Sequence, residues 1–299
     1  MKPRISVLMT VYNLAPYLQA AIESLRKQTL RDFELVVVEN GSTDGGKDII
    51  RPLTQGLNVK LIDLKDNIGR VPALNVAMKE AEGDYVAILD ADDIAHPRRF
   101  ETQVALLDSR PHVMMVSSYV RTIDETGQVT GHYTVPLDTR TLHDAMAYMN
   151  PFWHSACTFR RGDAIAVGGH DRRYPTANDL ALWIALSRRG ELAVIPEELA
   201  DIRSHASNMT NALPYAISRF NEELDLYKLA QTLPGISSEA KRQGREAIAR
   251  LHFNIAKRFF RSGHPVQAAA ELVKCVFSAP TFVVRQMAQR QPDSHSAAA

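Results

Sequence analysis

Three acids within four positions, Asp90, Asp92 and Asp93, close a run of five residues suited to a buried strand, Tyr85-Val86-Ala87-Ile88-Leu89. A strand that must stay dry cannot run on through unpaired carboxylates, so the acids belong where it leaves the sheet, at its C-terminal edge. Open α/β sheets bind their ligands at that edge. Carboxylates this close repel by several kcal/mol at roughly 4–6 Å in a partly shielded site, unless water or a cation lies among them. A hard divalent cation with oxygen ligands is the natural neutraliser. Read alone, the run also fits a solvated acidic turn in which Asp93 caps the next helix.

The elements around the acids repeat one pattern. Ile5 to Val11 reads as a strand ending at Tyr12-Asn13, and a helix follows with Leu18, Ala21, Ile22 and Leu25 at helical spacing. Phe33 to Val38 is a second strand, ending in Glu39-Asn40-Gly41-Ser42-Thr43-Asp44-Gly45-Gly46. Val59 to Leu64 is a third, and the loop Asp66-Asn67-Ile68-Gly69-Arg70 leads into a helix with Pro72 in its first turn and Ala73, Leu74, Ala77, Met78 and Ala81 on one face. After the acids Pro97 opens a helix with Phe100, Val104 and Leu107 inward, Val113 to Val120 makes a strand, and Asp124 to Gly127 a turn. Strands separated by single helices predict βαβ units and a mainly parallel sheet. The first strand is followed by no GxGxxG and the chain holds no GxxxxGK[ST], which argues against a dinucleotide fold and a P-loop. Beyond Asn150 the alternation loosens: a strand at His154 to Arg160, a turn at Gly168-Gly169, a helix from Asn178-Asp179, a strand at Leu192 to Ile195, then Ile202-Arg203-Ser204-His205. From about Tyr215 everything reads as helix, broken near Pro234-Gly235, Gly263-Pro265 and Ala279-Pro280.

Bulk composition narrows the class. With 299 residues and 45% apolar content the chain can bury one large core, or one core and a smaller appendage. A formal charge of +1 gives no case for nucleic-acid binding. Two distant cysteines, Cys157 and Cys275, argue against a zinc site or a disulfide framework and fit a reducing compartment. No apolar run reaches the roughly 18–20 residues of a spanning helix, and Ile5 to Val11 reads as a strand rather than the apolar core of a signal peptide. The expectation is a cytoplasmic enzyme.

Five ordered segments then carry a resemblance: PRISVLMTVYN, ELVVVENGSTDGG, DNIGRVPALNVAMKEAEGDYVAILDADD, PRRFETQVALL and AVGGHDRRYPTANDLALWIALSRRG. Together they resemble the inverting GT-A glycosyltransferases of family 2, the large group that builds bacterial surface polysaccharides, over roughly Lys2 to Asn211. The resemblance implies an α/β GT-A fold, a mainly parallel Rossmann-like sheet flanked by helices. It implies a catalytic domain over 1–211, with a nucleotide-sugar half to about 120 and an acceptor half beyond. A C-terminal helical region over 212–292 and a disordered tail over 293–299 complete the expected organisation.

Carried over by position, the resemblance implies that Thr10, Tyr12 and Asn13 meet the nucleotide and that Glu39 or Asn40 meets the base. The usual pair there is Asp-Asp. A carboxylate accepts from a pyrimidine N3–H whereas an amide donates or accepts, so Glu-Asn leaves the base open, with UDP or dTDP expected. Ser42 or Asp44 can equally satisfy free N–H groups at a helix start. Asn67 and Arg70 face the nucleotide by the same resemblance. Asp92 is the expected direct ligand of magnesium or manganese, and Asp90 reaches the ribose, or the metal through water. Arg203 and His205 lie where related enzymes place a basic or metal-binding residue near the diphosphate. Asp179 stands at the position of the base that removes the acceptor hydroxyl's proton; an acid there also suits a helix dipole. The usual partner before it is Glu, and this chain has Asn178, which suits an N-cap. His154 and Trp183 are expected to shape the acceptor cleft or the core.

The implied activity is metal-dependent inverting transfer from a nucleotide-diphosphate sugar to a glycan or lipid-linked acceptor. Glu39-Asn40 and Asn178, off the usual pattern, motivate a second reading: a catalytically silent homologue that binds nucleotide sugar or glycan for regulation or scaffolding. Lys241 to Arg261 carries seven basic residues against the acid Glu246, with Ile248, Leu251, Ile255 and Phe259 among them. That pattern suits peripheral contact with an anionic inner leaflet or a face for packing or dimerisation, and the sequence favours the latter.

Overall fold

The computed structural model describes residues 2–135, 138–206, 213–280 and 282. The chain divides into two compact units, Met1–His143 with Asn150–Asn211, and Asp144–Met149 with Ala212–Ala299. The tail expected at 293–299 lies outside the described residues.

In the first unit β1 (Ile5–Val11), β2 (Phe33–Asn40), β3 (Val59–Leu64) and β4 (Tyr85–Ile88) run parallel in the order β3-β2-β1-β4. β2 is buried along its whole length, as a strand covered on both faces must be. The connecting helices α1 (Ala15–Arg26), α2 (Gly46–Thr54) and α3 (Arg70–Glu80), with α4 (Arg99–Ser109) after β4, supply that cover. α1 buries Leu18, Ala21, Ile22 and Leu25, and α3 buries Ala73, Leu74, Ala77 and Met78, the faces expected from spacing. Val11 pairs with Glu39 and Leu8 with Ile88. The chain therefore leaves β1, β2 and β4 at one edge, and the loops that follow them share that edge.

Past β4 the sheet becomes mixed. β8 (Thr158–Arg160) lies antiparallel between β4 and β6 (Val113–Ile123), and β6 runs parallel to β9 (Glu191–Arg203). β5 (Ile94–Ala95) adds antiparallel to β9, and β7 (Val129–Tyr133) folds back on β6 through the expected turn, with the Gly127 N–H donating to the Asp124 carbonyl at 3.1 Å. The short helices α5 (Thr139–Ala145) and α6 (Arg161–Ala166) and the longer α7 (Asn178–Ser187) interrupt this half of the chain.

Two elements differ from the sequence reading. Residues 154–156 form a 3-10 turn rather than the start of a strand, because the Cys157 N–H closes back on the His154 carbonyl at 3.1 Å; only Thr158–Arg160 joins the ladder. β9 runs far beyond Ile195. Its pairing with β6 jumps from Ile195 to Glu198, a bulge that accommodates Pro196, which has no N–H for the ladder.

The second unit is helical, with α8 (Leu213–Ala230), α9 (Ser238–Arg261) and α10 (Pro265–Ser278). Ser237 caps α9 by accepting from the Ala240 N–H at 3.0 Å. The α9–α10 hairpin turns at Gly263, whose φ of 77° suits glycine, and is tied by His252 Nδ1 and Glu271 Oε2 at 2.6 Å. Among the described residues no helix is long and apolar enough to cross a membrane.

Candidate active site

The loops after β1 and β2 are laced together at the shared edge. Asn13 sits at φ 55°, which asparagine tolerates; its Oδ1 accepts from the Thr43 N–H at 2.8 Å and its N–H donates to Ser42 Oγ at 3.1 Å. Asp44 accepts from the N–H groups of Ala15 and Gly46 at 2.8 and 2.9 Å, bracing the starts of α1 and α2. Thr10 is half-buried at this edge and Tyr12 is 44% exposed, a ring open to a flat ligand. Glu39 and Asn40 are turned inward instead, at 1% and 3% exposure. The Glu39 carboxylate accepts from the N–H groups of Gly41 and Ser42 at 3.1 and 2.7 Å. Asn40 donates to Asn67 Oδ1 at 3.0 Å and accepts from the Ile68 N–H at 3.0 Å, holding the loop that leads to Arg70. Gly41, at φ 75°, lets the two loops touch: a Cβ there would stand 2.6 Å from the Asp66 carbonyl carbon.

The three acids have three different settings. Asp90 pairs with Arg70, whose Nη2 lies 2.7 and 2.8 Å from its two oxygens, and its N–H donates to Ser155 Oγ at 3.0 Å. Asp92 Oδ2 meets His205 Nε2 at 3.0 Å. Asp93 does not cap the next helix, since α4 begins only at Arg99 and shows no side-chain cap; it is buried and accepts from the Arg203 N–H at 2.8 Å. Arg203 is buried too, donating to the carbonyls of Asp92, Asp124 and Glu125 at 2.8, 2.9 and 3.2 Å, with its guanidinium 5.1 Å from the Tyr17 ring centroid. It fixes the course of the acid loop. Tyr17 also stacks on His205 at 4.6 Å, which sets that imidazole against Asp92.

Charge follows these settings. Burial tends to raise the Asp90 carboxyl, but the Arg70 cation outweighs it and holds the group below its usual range. Asp92 is pushed up, by burial first and then by the Asp90 charge, against the opposing His205 bond. Asp93 is pushed well up by burial and by both neighbouring acids. Burial alone would weaken the Arg70 cation, yet Asp90 raises it, and the charges of Asp92 and Asp179 add to the effect.

Asp179 lies in the first turn of α7, half-buried, with Oδ2 accepting from Asn150 Nδ2 at 2.7 Å. Asn178 is not the N-cap, which is Ala177; it is the first helical residue, buried, with Oδ1 lacking a hydrogen-bond partner. Behind this start lie His154 and His170, edge-on at 5.3 Å, with Trp183 6.1 Å from His154. Burial and then the Arg70 charge lower both imidazoles, His154 well below its ordinary value and His170 to about 4. The ring of His154 reaches Arg70 directly, Nδ1 to Nη2 at 2.8 Å.

Three residues of this network carried no sequence signal as site residues, Asn150, Ser155 and Arg99, and His154 was expected only to shape the acceptor cleft or the core. Buried Arg99 donates to the carbonyls of Ile88 and Cys157 at 2.9 and 3.1 Å, which holds the exit of β4 against the 154–157 turn. Burial lowers its pKa to about 10. Asn150 stands directly beside Pro151 and Arg99 follows Pro97 at a helix start, the signals in the sequence that could have marked them. Metal ligands are sparse, and no cluster of three or more His, Cys, Asp or Glu side chains able to hold an ion forms among the described residues. A cavity of about 560 Å³ lies in the second unit, with Asn221, Asp225, Lys228, His252 and Glu271 in its wall, but none of the residues around Asp90, Asp92 and Asp179 lines it. The site is located by its chemistry, not by volume.

The sequence family described as Glycosyl transferase family 2 matches residues 6–171, more than half of the chain. The chain belongs to glycosyltransferase family 2. This glycosyltransferase is similar to the amylovoran biosynthesis glycosyltransferase AmsE of Erwinia amylovora, 30% identical over 232 residues that cover 76% of this chain and 86% of the relative. It is also similar to the UDP-Gal:alpha-D-GlcNAc-diphosphoundecaprenol beta-1,3-galactosyltransferase of Escherichia coli, 26% identical over 76% of this chain and 84% of that one. Among solved structures, the mannosyltransferase PcManGT from Pyrobaculum calidifontis, in complex with GDP-Man and Mn2+, matches with a TM-score of 0.62 at 21% identity, covering 98% of this chain and 82% of that one. The glycosyltransferase has the GT-A fold, as the resemblance of its five segments implies.

Proposed function

We propose that this family 2 glycosyltransferase moves a sugar from a nucleoside-diphosphate donor to a hydroxyl of a glycan or lipid-linked acceptor, with inversion, in the synthesis of a surface polysaccharide. The observation that carries the reading is that Asp90, where β4 ends, holds the Arg70 guanidinium at 2.7 and 2.8 Å. The charges of Asp92 and Asp179 also bear on that guanidinium, which supports reading the acid loop and the start of α7 as one centre. Arg70 would bind the donor's diphosphate and Asp179 would take the acceptor's proton as its oxygen attacks the anomeric carbon. Tyr12, Thr10 and Asn13 offer the nucleotide an open edge, while Glu39, Asn40, Asn67 and Arg203 shape the loops that form it. The names of the two relatives support the polysaccharide and lipid-linked settings, and UDP or dTDP is the carrier we favour.

A divalent ion fits the donor set. Asp92 and His205 together offer one carboxylate oxygen and one imidazole nitrogen at 3.0 Å, while Asp90 is engaged by Arg70. Two protein ligands suit magnesium or manganese, which keep most of their sphere for phosphate and water. Such an ion supplies charge neutralisation to the leaving diphosphate. The Mn2+ of the Pyrobaculum enzyme supports this reading.

The test is the thermal shift of the wild type and Asp92→Ala with UDP, dTDP, GDP and CDP, each with and without manganese. A ligand at about 100 times its Kd stabilises the folded state by roughly 2.7 kcal/mol. One diphosphate should stabilise the wild type only with metal, and Asp92→Ala should lose the effect. Binding without turnover of any donor would favour the silent homologue; no binding in folded protein would remove the donor reading.

For the second unit the partner we favour is an anionic lipid surface rather than a second copy. The outward face of α10 is apolar through Val266, Leu272, Val273, Val276 and Phe277, and the same hairpin exposes Lys257, Arg261 and Lys274. The acid of α10, Glu271, is bonded to His252 and Lys274. Two such faces would oppose like charges, whereas an anionic leaflet complements them.

A further inference from the structure

His154 has no part in the reaction described above, yet it touches the arginine at the centre of the site. An arginine N–H can only donate, so the 2.8 Å contact from Arg70 Nη2 requires a lone pair on His154 Nδ1. The ring is therefore neutral, with its proton on Nε2. That nitrogen is buried without a hydrogen-bond partner. Neither nitrogen can then serve as a base or a metal ligand, one facing a cation and the other closed to solvent. Nη2 has two hydrogens. One goes to the Asp90 carboxylate and the other to Nδ1, so the donors left to Arg70 are Nη1 and Nε.

The neighbouring residue completes the device. Ser155 Oγ accepts the Asp90 N–H at 3.0 Å, so consecutive residues of one 3-10 turn fix both halves of the Arg70–Asp90 pair. That turn is itself anchored: Gln103 donates to the Ala156 carbonyl at 2.7 Å and Arg99 to that of Cys157 at 3.1 Å. A guanidinium held by a carboxylate alone can swing about that contact. A second acceptor on the same nitrogen removes the freedom before any ligand arrives, which is preorganisation in the sense that strengthens binding of an anion.

We propose that His154 is a positioning residue for the donor, acting through Arg70: its Nδ1 lone pair sets the guanidinium so that Nη1 and Nε meet the diphosphate. The inference rests on the reading of Arg70 as a diphosphate ligand. A packing role is the rival, since the ring also contacts His170 and Trp183. The two roles rank substitutions in opposite orders. Asparagine places its amide oxygen near the Nδ1 position, leucine fills the space without an acceptor, and glutamine puts the oxygen near Nε2. Packing favours leucine; positioning favours asparagine.

The experiment measures donor KM, kcat and nucleoside-diphosphate Kd for the full chain as wild type, His154→Asn, His154→Gln and His154→Leu, and for His154→Leu in an Arg70→Met background. His154→Leu should raise donor KM and Kd by roughly tenfold or more, the worth of one hydrogen bond to a charged group. His154→Asn should stay within about threefold of wild type although its melting temperature falls, since a buried amide replaces a packed ring. In the Arg70→Met background His154→Leu should have no further effect on Kd. Equal losses in Asn and Leu, a Leu variant that behaves as wild type, or a Leu effect that persists without Arg70 overturns the proposal. Nitrogen-15 spectra of the wild-type imidazole supply a readout independent of any donor: Nδ1 should be unprotonated, and Arg70→Met should relax that tautomer. A protonated Nδ1 overturns the proposal by itself. A wild type that binds no nucleoside diphosphate removes the donor reading while leaving the tautomer result standing.

Discussion

Asp90 and Asp92, separated by Ala91, end with opposite shifts: burial tends to raise both, but the Arg70 cation overrides it at Asp90, whereas at Asp92 the Asp90 charge adds to it. On the proposed reading that division gives two carboxylates two tasks: Asp90 orients Arg70, and Asp92 is left with His205 as the pair that would hold an ion. Asp179 is the third, and the reading of it as the base has a direct test. Asp179→Asn keeps the size and the contact to Asn150 but removes the proton acceptor. Turnover should fall by about 10²- to 10⁴-fold while metal-dependent nucleotide affinity stays within a few-fold, measured by initial rates and calorimetry; an equal loss in affinity would make Asp179 a binding residue instead. The acids were legible in the sequence because a dry strand that runs into carboxylates has few places to go. The partners of Arg70 were not. Arg70 and His154 stand 84 positions apart, and a lone histidine in an apolar stretch has the same appearance whether it packs or accepts. Glu39 and Asn40 show the reverse case. The resemblance assigns them to the base, but backbone N–H groups of the Gly41–Ser42 and Ile68 loops engage their side-chain oxygens.

The elements succeed or fail by how far their pairing is local. β1 to β4 alternate with helices, so their periodicity could be read directly. The antiparallel β8 could not, being three residues long and set between two strands distant in sequence. The sequence reading gives this strand as Leu192 to Ile195; the bulge against β6 at Pro196 lets β9 continue to Arg203, and thereby brings Arg203 to the acid loop. One ion pair marks this continuation. Asp201 on β9 sits opposite Arg121 on β6, bonded to it at 2.7 and 2.8 Å, and meets His96 Nε2 at 2.7 Å. Burial tends to raise the Asp201 carboxyl, but His96 and Arg121 bring it down to about 2. The folded value lies below the unfolded one near 3.9, so the pair's stabilisation is fully present above about pH 4 and is lost as pH falls towards 2. Its size is on the order of 2 kcal/mol, reduced by solvent screening of the partly exposed Arg121. Asp201→Asn should therefore lower the melting temperature at pH 7, and the gap from wild type should close between pH 4 and 2 in calorimetric scans. A gap unchanged across that range would mean that packing, not charge, accounts for the loss.

On the scale of the whole molecule, one unit carries the GT-A sheet and the candidate site, and among the described residues the helical unit exposes an apolar face of α10. Val266 and Phe277 are 78% and 83% exposed, near opposite ends of α10. The sequence showed the basic residues of α9 but not which helix would leave its apolar side uncovered, since that depends on how narrow a strip, Ala268 and Cys275, α10 commits to its neighbours. An interfacial helix gains from burying such a face, and each nearby lysine or arginine adds about 1 kcal/mol on an anionic leaflet. Lys257, Arg261 and Lys274 together should make binding to vesicles containing phosphatidylglycerol roughly 100-fold stronger than to neutral phosphatidylcholine vesicles. Sedimentation at low salt should recover the protein with the anionic vesicles, and 0.5 M salt should release most of it, because the charges act near the surface and are screened. Val273→Asp with Phe277→Asp should abolish vesicle binding while leaving donor affinity unchanged. Self-association that rises with protein concentration in ultracentrifugation, without vesicles and sensitive to the same pair of substitutions, would assign the face to a second copy instead. Equal binding to neutral and anionic vesicles would leave the apolar strip a role and remove the charge argument on which the choice of lipid rests.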